Sequence, residues 1–398
     1  MRSWRAVAVF LTVVTSLSAG LHYYLFTRLV RAPGIEAWQS PGAWLFFAGA
    51  VAMPAGMVLS RVLRRPLSTI VGAVSHVWMG VFALLLFLTL GSEIVRGGAA
   101  ILEALNLLPR DPERGVVIAQ ALSGVIGLAT LGLGTYGVAR ARTPDVKTVD
   151  VALRRLPAEL GGFRIVQLSD LHIGALLDGA WLRGVVERVN ALEPDLVAIT
   201  GDLVDGSVAD LAAHVAPLGE LAARHGVFFV TGNHEYYSGA DAWIAELERL
   251  GVRVLRNERV AIGVGFELAG IDDYTAHQFG NGHGSDLQRA LAGRDPAHEL
   301  VLMAHQPRSA KEAASFGVGL QLSGHTHAGQ IWPWRYAVKL QSPWVEGLYR
   351  EGTLQLYVSP GTGYWGPPMR LGSEAEITEV LLYPHGHSQR AQNNDRQR

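Results

Sequence analysis

Five short peptides carry side chains able to bind cations: SDLH at 169–172, GD at 201–202, GNHE at 232–235, AH at 304–305 and GHTH at 324–327. Asp170 and His172, two apart in a tight turn, bring a carboxylate oxygen and an imidazole nitrogen to one cation. Asp202 supplies a carboxylate, whose two oxygens allow it to bridge two ions. Asn233 adds a neutral carbonyl oxygen, and His305, His325 and His327 add three imidazoles. The two histidines of GHTH can serve different ions from an irregular loop. Seven such groups suffice to hold two divalent cations side by side. A pair of cations activates water and neutralises phosphate oxygens, which suits it to cutting phosphate esters. Singly, each peptide has a plainer reading: Asp202 as a helix cap, GNHE as a turn, a lone histidine as surface or core. Their joint occurrence, in order and each after a strand-like run, argues for one site.

The runs that must position these residues are apolar and β-branched: FRIVQL, LVAIT, VFFVT, LVLMA and LQLS. Helical segments follow at 180–192, 209–225 and 240–250, so from about residue 149 strands alternate with helices. That alternation predicts a layered α/β domain. Trp181, Val185, Val189 and Leu192 keep helical spacing and read as core. After Gly324 the pattern turns β-rich. Residues 385–398 are polar and read as a disordered tail, with His385 and His387 exposed there rather than binding metal.

The N-terminal third is different. Uncharged apolar stretches at 6–27, 43–60, 69–91 and 115–138 approach or exceed the roughly twenty residues that cross a bilayer, the second being short. The first also resembles a secretory signal, with Arg2 and Arg5 before an apolar run. Its apolar run continues past a usual signal core, which favours an uncleaved span. Arg and Lys in the flanking segments number eight on the N-terminal side and five on the other. By the positive-inside rule this puts both termini in the cytoplasm. The expected division is a membrane domain at 1–142, a linker at 143–150, a catalytic domain at 151–384 and the tail.

Composition narrows the rest. The chain has 398 residues, no cysteine and a formal net charge of −1. Without cysteine any metal relies on nitrogen and oxygen donors, and without a strong positive field no nucleic-acid partner is expected.

The peptides SDLHIG, TGDLVDG, TGNHEYY, AHQP and SGHTHAGQIWPW resemble those of the calcineurin-like metallophosphoesterases over about 149–384. With several spans ahead of that domain, the chain further resembles the YaeI/YkuE-like branch and transmembrane metallophosphoesterase-domain proteins. The resemblance implies a β-sandwich flanked by helices, with a binuclear metal centre at one edge. It implies that Asp170, His172 and His327 hold one ion, that Asn233, His305 and His325 hold the other, and that Asp202 bridges them. It implies Mn, Fe or Zn as the ions, attack by a metal-bridging hydroxide, and His234 as the acid that protonates the leaving oxygen. Asp205 is a candidate to orient His234, or else a cap or turn residue. Glu235 reads as a supporting residue or as surface. Ala328 departs from the glycine that many relatives have after GHTH, with no ligand affected.

The stretch with Trp332, Trp334, Tyr336, Trp344, Tyr349, Tyr364 and Trp365 reads either as core and rim or as an apolar lip near a bilayer. The lip reading makes a lipid-linked phosphoester the substrate. Arg335, Arg350 and Arg370 read as phosphate contacts or as ordinary surface. The competing functions are a tethered phosphatase or phosphodiesterase for soluble substrates, and a non-catalytic membrane sensor of a phosphorylated ligand.

Overall fold

The computed structural model describes residues 4–386 apart from 65 and 110. Most of the tail expected from 385 onward lies outside the described residues. Among these, the chain divides into two compact units. One runs to Ala139 and includes Gly366–Met369; the other runs from Arg140 to Trp365 and resumes at Arg370.

The first unit is four helices: α1 (Trp4–Phe26), α2 (Glu36–Val62), α3 (Leu67–Ala104) and α4 (Pro112–Arg142). All four are long and apolar enough to cross a membrane. Helices α2, α3 and α4 outlast their apolar stretches, because a charged residue ends hydrophobicity without ending a helix. In α3 the 38 residues rise about 57 Å, close to twice a bilayer's hydrocarbon core. Past its apolar stretch, Glu93 pairs with Arg28 at 3.0 Å and accepts the Tyr24 hydroxyl at 2.9 Å. His22 is buried and fully bonded: Nδ1 donates to Ser18 O at 2.8 Å, and Nε2 accepts from the Trp78 indole at 2.9 Å. Both nitrogens being engaged, His22 joins helices and offers no lone pair to a ligand.

The second unit is a sandwich of two six-stranded sheets. In chain order its elements are β1 (Asp145–Leu153), β2 (Phe163–Leu168), α5 (Gly179–Asn190), β3 (Leu196–Ile199), α6 (Val208–Val215), β4 (Val227–Phe229), α7 (Asn233–Ser238), α8 (Ala240–Arg249) and β5 (Arg253–Val254). There follow β6 (Glu258–Ala261), β7 (Phe266–Gly270), α9 (Leu287–Ala290), β8 (Glu299–Met303), α10 (Ala310–Ser315), β9 (Leu320–Ser323), α11 (Trp334–Gln341), β10 (Gly347–Glu351), β11 (Leu354–Val358) and β12 (Glu376–Pro384). The sheet orders are β1-β12-β2-β3-β4-β5 and β10-β11-β9-β8-β7-β6.

Strand alternation explains the layers. Phe163, Ile165, Leu196, Ala198 and Phe228 point inward, against Val301, Met303, Leu320 and Leu322 of the other sheet. Their neighbours Val166, Leu168, Val197 and Ile199 point outward, under Leu182, Val185 and Val189 of α5 and Trp243 of α8. Leu300, Leu302 and Leu356 likewise meet α9 and α10. Strands covered on both faces must be apolar throughout, which is why these runs hold few polar residues. Burying each such side chain contributes roughly 1.5–3 kcal/mol.

The expected linker is different in one respect: residues 145–150 are the first part of β1, paired with β12 from Asp145↔Glu376 onward. β1 is an edge strand, and its first residues are largely exposed. With little to bury, they are polar and read as a connector.

Candidate metal centre

Strands β2, β3, β4 and β5 pair in parallel, as do β7, β8, β9 and β11. Loops leaving β2, β3, β4, β8 and β9 therefore emerge at the same end, and these loops carry the five peptides. The loops are tightly wound. Asp170, His172, Asp202, His325 and His327 all have left-handed backbone, with φ between 46° and 72°. Such a conformation costs roughly 1–2 kcal/mol per non-glycine residue and persists only where the surroundings hold it. Asp170 N–H donates to Gly201 O at 3.0 Å and His172 N–H to Asp202 O at 3.1 Å, stitching the first two loops together. Two glycines permit the approach: a Cβ on Gly232 would overlap the Asp202 carboxylate, and one on Gly324 would overlap Ser169 and the Asp170 carboxylate.

Six of the seven donors fall into two groups, Asp170–His172–His327 and Asp202–His305–His325. In the first, His172 Nε2 lies 3.1 Å from His327 Nε2, which lies 3.4 Å from Asp170 Oδ1. In the second, His305 Nε2 lies 3.1 Å from Asp202 Oδ2 and 3.2 Å from His325 Nδ1. Donors at about 2.1 Å from one ion sit about 3.0–3.4 Å apart, so these separations match the edges of a coordination shell. Asp202 Oδ2 also faces His172 Nε2 at 3.9 Å, while Oδ1 accepts the His234 N–H at 2.9 Å. A single oxygen, rather than one oxygen for each ion, is thus turned toward both groups.

Three further observations fit a pair of cations. Asn233 Oδ1 is buried with no hydrogen-bond partner among the described residues. The histidines are oriented from behind: His305 Nδ1 donates to Thr200 O at 2.8 Å, and His172 Nδ1 to Asp205 Oδ1 at 3.2 Å. Their Nε2 lone pairs then point inward, as outer partners of metal ligands arrange. Finally, the field is negative. Burial works against charge on His305, yet the Asp202 and Asp170 carboxylates push its pKa well above the usual imidazole range. His327 goes the other way: burial pulls it down to about 3, leaving a neutral imidazole able to donate its lone pair.

Asp205 takes two histidines at once. Its Oδ1 accepts from His172 and, at 2.5 Å, from His234 Nδ1, its side chain being 30% exposed. Burial opposes ionisation, but the two imidazoles hold the Asp205 carboxyl below the usual range. Burial likewise lowers His234, and the Asp202 and Asp205 carboxylates outweigh it, raising its pKa to about 9. Although His172, Asp205 and His234 are close enough to hold an ion, both Nδ1 atoms are spent on the carboxylate. The rings of Tyr237 and Trp365 meet His234 edge-on, with centroids 5.2 and 5.6 Å away.

Several supporting residues escape a reading of single positions. Glu235 is fully buried, not surface: its carboxylate accepts from Gly232 N–H at 2.7 Å, Leu203 N–H at 2.8 Å and Asp202 N–H at 3.0 Å. It clamps GD to GNHE. Burial and the nearby Asp202 push its pKa up to about 7. The loop after β11 backs SDLH, with Thr362 N–H donating to Ser169 O at 2.7 Å and Gly363 N–H to Asp170 O at 3.1 Å. Arg370, a candidate phosphate contact, is 1% exposed and donates to the carbonyls of Pro360, Gly361, Gly363 and Glu374. It therefore shapes this loop. Arg335 is paired with Glu346. Asp273, after β7, accepts the Gln306 amide at 3.0 Å next to His305. The run FELAG before Asp272 and Asp273 follows the same strand-then-acid pattern and was the available signal. Of the aromatic stretch, Trp344 and Tyr364 are core, whereas Trp332, Trp334, Tyr336 and Trp365 are exposed.

The two sheets and the donors at their common end define a metallophosphoesterase domain. Residues 163–329 match the calcineurin-like phosphoesterase family. The chain is 44% identical over 303 residues to the transmembrane protein with metallophosphoesterase domain of Bos taurus, an alignment covering 72% of this chain and 66% of that protein. It is 38% identical over 321 residues to the Danio rerio protein of the same name, covering 76% and 72%. It is 31% identical over 281 residues to the uncharacterized metallophosphoesterase YkuE of Bacillus subtilis, covering 66% and 96%. The chain belongs to the calcineurin-like metallophosphoesterase family.

Proposed function

We propose that this is a multi-pass membrane phosphohydrolase that holds two divalent ions and cleaves a phosphate ester or pyrophosphate bond in a lipid-linked substrate. The observation that carries the reading is the single Asp202 oxygen facing His172 and His305, so that two donor groups share a carboxylate. Asp170, His172 and His327 would hold one ion, Asn233, His305 and His325 the other, with Asp202 between. Imidazole and carboxylate donors without sulfur suit Mn, Fe or Zn and suit Ca poorly. When bound, two such ions make a water acidic enough to attack near neutral pH and neutralise phosphate oxygens. The chain's residues supply the rest. His234, held by Asp205 through Nδ1, keeps Nε2 for the leaving oxygen and gives it a proton. Glu235 keeps Asp202 and Asn233 in register.

The membrane assignment rests on four helices of spanning length and on relatives with transmembrane in their names. We take residues 1–142 as the membrane domain and 151–384 as the catalytic domain, the latter's sheet reaching back to Asp145. The Arg and Lys bias supports a cytoplasmic position for this domain.

A lipid-linked substrate is favoured by the path of the chain. α4 ends at Arg142 and β1 begins at Asp145. Asp145 pairs with Glu376, Glu376 O accepts from Thr362 Oγ1 at 2.7 Å, and Thr362 N–H donates to Ser169 O. β1, which begins three residues after α4, thus starts at the end of the sheet that carries the metal loops. The test is full-length protein in nanodiscs, loaded with Mn, Fe or Zn, with metal content measured. Hydrolysis of a membrane-extracted phosphodiester is compared with that of a soluble ester. Preference for the lipid supports the proposal. Equal rates indicate a tethered enzyme for soluble substrates. Two bound metals and a bound phosphorylated ligand without turnover indicate a sensor.

A further inference from the structure

The segment leaving the GHTH loop is built unlike the rest of the catalytic unit. No residue of α11 is buried. Trp332, Trp334 and Tyr336 are each 59% exposed and Leu340 is 90% exposed, within nine residues. Lys339 lies over the Tyr336 ring at 6.0 Å, so a cation accompanies the aromatic surface. The base of the segment, by contrast, is tied down. Arg335 pairs with Glu346, Trp332 N–H donates to Leu371 O at 2.7 Å, and the Gln330 amide bonds Trp365 O at 3.1 Å and accepts Trp365 N–H at 3.1 Å. The Gly329 backbone is packed so closely on Arg335 that a Cβ there would overlap it. A rigid base with an apolar aromatic face is suited to an environment that is not water.

We propose that α11, with Trp332 before it, is an interfacial anchor lying in the headgroup region of the bilayer that α1–α4 span. Tryptophan and tyrosine with flanking Lys and Arg are the residues that settle at that depth. The lipid surface is the occupant because the same chain supplies the membrane-length helices and leaves the last of them three residues before β1, at the metal-loop end of the sheet. α11 emerges from that same end, seven residues after His327.

The chain has no cysteine, so a single label can be placed at will. Leu340→Cys and Val264→Cys, the latter 88% exposed in the β6–β7 turn at the opposite end of the sandwich, each carry one environment-sensitive fluorophore. The full-length variants are reconstituted in nanodiscs of phosphatidylcholine and phosphatidylglycerol with or without nitroxide-labelled lipid. The expected result is loss of fluorescence at 340 with nitroxide lipid and none at 264. Unquenched, water-exposed fluorescence at 340 overturns the proposal. So does a label at 340 that is shielded from water yet unquenched by lipid, which would mean a second copy or another protein covers the helix. Matching unfolding midpoints for the two labelled proteins establish that both are folded. The readout involves no turnover, so its failure is separate from any failure of the phosphohydrolase reading.

Discussion

Glu235→Gln perturbs the site while leaving every proposed ligand in place. The carboxylate accepts three backbone N–H groups, two on Oε2 from Gly232 and Asp202 and one on Oε1 from Leu203. An amide has one acceptor oxygen. Its best pose keeps the Oε2 pair and turns an NH2 group toward the Leu203 N–H, donor against donor. The loss is one charge-assisted hydrogen bond plus a buried N–H left unpaired, about 2–4 kcal/mol together. For a unit of this size that lowers the unfolding midpoint by roughly 4–16 °C. Because the clamp joins the loops of Asp202 and Asn233, metal affinity should fall about 10–100-fold, as for other residues that orient ligands. Thermal unfolding of the full-length protein in nanodiscs and calorimetric titration with Mn measure both. A variant with wild-type midpoint and wild-type affinity refutes the clamp.

Other substitutions test the remaining roles. His234→Ala should lower kcat about 10²–10⁴-fold on an alkyl phosphodiester, far less on a nitrophenyl ester that needs no proton, with metal content unchanged. Metal loss in step with activity would make His234 a ligand instead. Asp205→Asn withdraws the carboxylate that both His172 and His234 use, so it should weaken metal binding about 10–100-fold and slow turnover too; an effect on only one of the two contradicts its double role. Arg370→Met removes the donor from the buried carbonyls of Pro360, Gly361 and Gly363 and from that of Glu374, and should cost roughly 3 kcal/mol or more, seen as a lower unfolding midpoint. If instead it changes KM with no loss of stability, Arg370 contacts substrate.

How much of this was legible depends on where each residue spends its side chain. The candidate donors were readable because Asp, Asn and His immediately after doubly covered apolar strands have no role in packing. The two-layered sheet was readable for the same reason, since runs such as LVAIT and LVLMA alternate between an inner and an outer core. The start of β1 was not, because an edge strand with solvent on its first residues has the composition of a linker. Glu235 and Arg370 were ambiguous because buried charges are rare, and both are buried by satisfying backbone groups, for Glu235 on the loop of Asp202 and for Arg370 within ten residues on its own loop. Such partners have no fixed spacing in the chain. The positioning of SDLH by Thr362 and Gly363 was hidden likewise, since backbone N–H groups leave no mark in residue type.

The most direct measurement is a crystal or electron cryomicroscopy structure of the Mn-loaded full-length protein, with the ions identified by anomalous scattering or density. The account predicts two ions about 4 Å apart, on either side of Asp202 Oδ2, one reached by Asp170, His172 and His327 and the other by Asn233, His305 and His325. A single ion, or ions that leave Asp202 uncoordinated, would contradict it.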